Sequence, residues 1–163
     1  MNDYKPHVLV LPEDDANRQL ANGFLMDPFL LHHGIQVLEP AGGWLRVLDR
    51  FVADNVSGMQ QFEQRHMVLL IDFDNRGEER LAEVKNRIPS RLIDRVLVLG
   101  VWTEPEALKR ATRDSFETIG KAMARDCREG TSEMWNHELL QHNSGEISRL
   151  REHVQPILFQ SAP

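Results

Sequence analysis

Asp72 and Asp74 stand one residue apart, directly after the apolar stretch Met67-Val-Leu-Leu-Ile71, and Gly77 comes three residues after the second. Paired like charges at the end of a core segment need a reason, because crowded carboxylates repel and burial raises the cost of ionising them. A divalent cation removes that cost, and hard ions such as Mg²⁺ take carboxylate oxygens and water. Side chains two apart on an extended chain point the same way, so Asp72 and Asp74 are expected to face one ion. Acids recur after the other apolar runs. Glu13-Asp14-Asp15 follows His7-Val-Leu-Val-Leu11, Glu39 and then Gly42-Gly43 follow Ile35-Gln-Val-Leu38, and Glu104 and Glu106 follow the run 95–101. Asp14, Asp15 and Glu104 read equally well as helix caps or turn formers.

These acids share an edge only if the runs are parallel strands. Each run is short, continuous and partly β-branched, the pattern of a strand covered on both faces. Between them lie helical patterns. One, capped by Asp15, runs through Leu20, Phe24 and Leu25 and is expected to end near His33-Gly34. A second places Trp44, Val47, Leu48 and Phe51 at helical spacing over 44–55, and a third covers about 78–88. Further helices are expected over 105–113, 115–127, 132–142 and 146–154. Strands separated by helices require crossovers, hence a four-stranded parallel sheet between helical layers. The reading is one domain over 1–163, with a core of about 6–113 and a helical C-terminal cap over about 114–159. Ligands of such sheets collect at the carboxyl ends of the strands, where the acids fall.

Composition narrows the partners. The chain has 163 residues, 41% hydrophobic, with a formal net charge of −6, so no global positive field recruits a polyanion. One cysteine, Cys127, excludes an internal disulfide and fits a reducing, cytoplasmic setting. The apolar run near the start is too short for a membrane or signal segment. His137 and His142 are five apart, turned about 140° from each other on a helix, and do not fit one zinc. His32-His33 reads as a helix end, and Trp44, Trp102 and Trp135 as packing.

Asp72-Phe-Asp74-Asn-Arg-Gly77 resembles the DxDxxG motif of the Toprim domain of topoisomerases, primases and several nucleases. Glu13 matches the glutamate after the first strand of that family, Gly42-Gly43 its small turn after the second, and Glu104-Pro-Glu106 loosely the later acids of its overcoming-lysogenization-defect nucleases. The resemblance covers about 6–113. It implies a Rossmann-like fold and Mg²⁺ (or Mn²⁺) held by Glu13, Asp72 and Asp74, with Glu104 or Glu106 at a second position. It further implies phosphate contacts from Gly42, Gly43, Arg76 and Gly77, and cleavage of DNA or RNA alongside a partner protein. Two departures stand out. Asp14 occupies a position that most such families give to a small residue. The only tyrosine, Tyr4, precedes the first strand, which excludes cleavage through a topoisomerase-type covalent tyrosine.

Two rivals remain. A Toprim-like module can serve as a binding scaffold without catalysis. The opening Val8 to Asp15 also resembles a response-regulator receiver, in which paired acids bind Mg²⁺, Asp72 would accept phosphate and Thr103 would supply the hydroxyl. Receivers carry a fifth strand ending in lysine, and no such segment follows Val101.

Overall fold

The four apolar runs form one parallel sheet in the computed structural model, which describes residues 1–160. The strands are β1 (His7–Pro12), β2 (Ile35–Val37), β3 (Arg65–Leu70) and β4 (Val96–Leu99), in the order β2-β1-β3-β4. Val10 lies beside Val37 on one side and Val68 on the other, and Leu69 beside Val98. Alternation sends Val8 and Val10 into one core and Leu9 and Leu11 into the other, as expected of a strand covered twice. The first core receives α1 (Asp15–Phe24), α5 (Pro105–Thr112), α6 (Phe116–Glu129), α7 (Ser144–Arg149) and α8 (Gln155–Leu158). The second receives α2 (Trp44–Arg50), α3 (Val56–Gln61) and α4 (Gly77–Asn86). The chain leaves β1 toward β2 on one side and returns to β3 on the other. The carboxyl ends of β1 and β3 therefore flank the topological switch point of the sheet.

Three departures from the expected element boundaries have a local reason. The first helix stops at Phe24 rather than near His33. Pro28 has no N–H to continue it, and the Asp27 carboxylate accepts from the Phe29 amide and from Arg128 Nε. The helix from Trp44 does not stop at 55. It passes through a π turn (Phe51–Asn55) that keeps Phe51 fully buried and continues as α3. The helix expected over 132–142 is a series of turns closed by a 3₁₀ turn at Gln141–Asn143. Buried Asp126 explains this, since its carboxylate accepts from Thr131 Oγ1 and from the amides of Glu133, Met134 and Trp135, fixing a loop in place of a helix.

That loop brings the C-terminal segment against the outer side of β4. Glu146 Oε2 accepts from the Val98 amide at 2.9 Å. The Asn143 side chain accepts from the Gly100 amide at 3.2 Å and donates to the Gly100 carbonyl at 2.9 Å. Side chains thus take the backbone partners that a neighbouring strand would supply. Lys85 and Arg149 balance the buried Glu146 carboxylate. Val154 and Leu158 join the same core as Val8, so the C-terminal helices share the sheet's own core.

Candidate metal centre

Parallel pairing carries β1 and β3 to the same rim, with Pro12 beside Leu70. One step further, Glu13 donates its amide to the Leu70 carbonyl and accepts the Asp72 amide on Oε2 at 2.6 Å. Asp14 is the N-cap of α1, its carboxylate accepting from the Asn17 amide. Asn17 is fully buried, and its side-chain amide donates to Asp14 Oδ1 at 2.9 Å and to Asp72 Oδ1 at 2.8 Å. One side chain of α1 therefore ties the end of β1 to the end of β3.

Carboxylate oxygens of Glu13, Asp14 and Asp72 all lie within 4.8 Å of one another. Burial pushes the Glu13 carboxyl up to about 7, against the opposing hydrogen bond from the Asp72 amide. Burial likewise pushes Asp72 up to about 7, with the Asn17 hydrogen bond opposing and Glu13 adding to the rise. Three hard oxygen donors, two of them reluctant to ionise without a counter-charge, could hold a metal cation.

Asp74 does not follow the extended geometry expected of it. It and Asn75 have φ of 48° and 62°, so the chain turns after Phe73 and Asp74 is not aligned with Asp72 as on a strand. Its carboxylate pairs with Arg80 Nη1 at 3.0 Å and is half exposed. Among the described residues, the acids that meet are Glu13, Asp14 and Asp72. Asp14, which the sequence left open as a cap, is both cap and member.

The remaining expected residues lie around this rim. The amides of Gly42 and Gly43 both donate to the Glu13 carbonyl, at 2.8 and 3.2 Å, so they brace the first acid and are not free for a phosphate. Gly77 opens α4 at φ 43°, and a Cβ there would stand 2.4 Å from the Trp102 ring. Arg76 is exposed, 3.5 Å from Glu79. Glu104 caps α5 without a side-chain hydrogen bond and lines a shallow pocket with Asp74, Asn75, Thr103 and Arg110, while Glu106 is in the first turn of that helix. Neither belongs to the group of three. Cys127 is buried and its thiol is pushed up to about 12, which suits packing and not reactivity.

Sequence reasoning passed over Asn17 and Arg80. Asn17 is four residues after Glu13, on the helix face turned to the rim. Arg80 is only 4% exposed. Its position three after Gly77, on the first turn of α4, was the available signal.

Fold and centre together define a class: a parallel α/β protein with a carboxylate cluster suited to a divalent cation at its topological switch point. Scanning family models produced no match, and neither curated proteins nor solved structures yielded one. No helix among the described residues is long and apolar enough to cross a membrane.

Proposed function

We propose that the chain acts on phosphodiester bonds of nucleic acid in a Mg²⁺-dependent way, as a Toprim-type hydrolase working beside a partner protein. The carrying observation is the Glu13–Asp72 hydrogen bond, which joins the first-strand glutamate to the DxDxxG segment around one buried group of oxygens. Glu13, Asp14 and Asp72 would hold the ion. When bound, it would polarise a phosphodiester oxygen and lower the pKa of a coordinated water. Burial raises the Glu13 and Asp72 carboxyls without an ion, and a bound cation would hold both ionised as its ligands, so that activation of the water falls to the ion. Arg76, exposed and only loosely paired, is available to a phosphate oxygen. With a net charge of −6, affinity for a polyanion must come from the ion, this arginine and the partner.

The test is cleavage of single- and double-stranded DNA and RNA in Mg²⁺ and in Mn²⁺, by wild type and by Asp72→Asn. Metal-dependent cleavage lost in the variant supports the proposal. Metal binding with no cleavage of any of these substrates replaces it with the scaffold reading.

A second reading is favoured by one observation, the presence of Asp14 in the cluster. Paired acids after the first strand, together with an aspartate after the third, are the arrangement of a receiver, and the Thr103 hydroxyl is buried without a partner. Against it, the sheet ends at β4, whose outer side is taken by Asn143 and Glu146. Acetyl phosphate separates the two, since only a receiver acquires a hydroxylamine-labile acyl phosphate on Asp72.

A further inference from the structure

Among the described residues, Arg80 is the buried cation within reach of the acidic rim. It leaves the first turn of α4, and its Nη1 donates to the Asp72 carbonyl at 2.9 Å and to Asp74 Oδ2 at 3.0 Å. Its guanidinium carbon lies 3.9 Å from the centre of the Trp44 ring, at the start of α2. Nε is buried without any partner. A guanidinium stays charged at every accessible pH. Stacking on an indole face holds it in place while leaving some donors unsatisfied. Its positive charge also acts on Glu13, opposing the rise in that carboxyl's pKa. Arg80 is therefore an internal counter-charge to the rim, and Asp74 is the acid it has taken.

We propose that Arg80 is a positioning residue that competes with a bound divalent cation for the Asp74 carboxylate. The half-exposed Asp74 side chain stands on a left-handed turn two residues beyond Asp72, near enough for its charge to act on both Glu13 and Asp72. A divalent ion held by Glu13, Asp14 and Asp72 attracts that carboxylate and repels the guanidinium. Asp74 then moves from Arg80 to the ion, and Arg80 keeps the Asp72 carbonyl and the Trp44 face. The inference rests on the metal-centre reading above and is independent of any nuclease activity.

Calorimetric titration of Mg²⁺ and of Mn²⁺ into wild type, Arg80→Gln, Asp74→Asn and the double variant tests it. Arg80→Gln is expected to bind metal roughly tenfold or more tightly, since it removes a positive charge a few ångströms from the ion and frees a ligand. Asp74→Asn is expected to bind several-fold more weakly, and the gain from Arg80→Gln to shrink in its background. A purely structural arginine would lower the melting temperature on removal but would not tighten binding. Folded Arg80→Gln with equal or weaker affinity than wild type overturns the proposal and leaves the metal centre intact. Wild type that binds neither ion overturns both. Should Arg80→Gln not fold, Arg80→Lys serves, because an ammonium lacks the planar face that stacks on Trp44 and holds Nη1 against Asp74. A few-fold gain is then expected, and no gain overturns the idea.

Discussion

Glu13 Oε2 accepts the main-chain N–H of Asp72 at 2.6 Å. This bond spans the gap between β1 and β3 and leaves one oxygen of Glu13 and the carboxylate of Asp72 turned to a common space. Strand pairing alone would bring the two backbones level, but the hydrogen bond fixes which way the glutamate points.

Removing one carboxylate from this trio is expected to cost at least tenfold in Mg²⁺ affinity. Asp72→Asn is the cleanest choice, because its amide oxygen can still accept from Asn17. Calorimetry reads the affinity, and circular dichroism checks that the fold persists. Unchanged affinity would remove Asp72 from the ligand set.

Glu13 and Asp72 hold protons more tightly in the folded chain (about 7 each) than in the unfolded one, where their ordinary values are 4.5 and 3.8. Their stabilising contribution is complete below the unfolded values and is lost as pH rises through about 7. Half-buried His66 and His142, whose pKa values are lowered by desolvation, act with the opposite sign, losing stability as pH falls. Melting temperature compared between wild type and Asp72→Asn from pH 5 to 8 isolates the part that depends on Asp72. Relative to the variant, the metal-free wild type should lose a few °C over that range. Saturating Mg²⁺ should reverse the loss, and metal affinity should rise with pH through about 7 as the competing protons leave.

Asn17→Leu removes two donors to carboxylates from the buried core and is expected to cost about 2–4 kcal/mol in urea unfolding, as charge-assisted hydrogen bonds are lost. Asn17→Asp instead adds a fourth carboxylate to the cluster. Its destabilisation should be larger without metal and should shrink in Mg²⁺, a rescue that Asn17→Leu will not show.

Glu146→Ala leaves the Val98 amide unpaired and strips Lys85 and Arg149 of their buried partner. The expected loss is about 3–5 kcal/mol, typical of breaking one side of a buried charge network. Mg²⁺ affinity should be unaltered, since Glu146 lies at the β4 edge, away from the three acids. A large fall in affinity would show that the edge and the centre are coupled.

The strands were legible because continuous apolar runs such as Val8 to Leu11 have few other homes, and the carboxyl-edge position of Glu13 and Asp72 follows once the sheet is parallel. Local side-chain capture was not legible. Asp126 suppresses a helix by binding amides seven to nine residues ahead, and nothing in the spacing of 132–142 reveals it. Asp74 deceived because alternation holds only on an extended backbone, and this one turns left-handed. Asn17 and Asp72 are 55 residues apart, and only the assembled sheet introduces them.

The side-chain cover on β4 has a bearing on assembly. With the Val98 and Gly100 amides already spoken for by Glu146 and Asn143, another chain cannot dock there by lengthening the ribbon, as happens in amyloid-like growth or donor-strand exchange. Any lengthening of the sheet would fall to the opposite edge, at β2, whose three residues offer a shorter ledge.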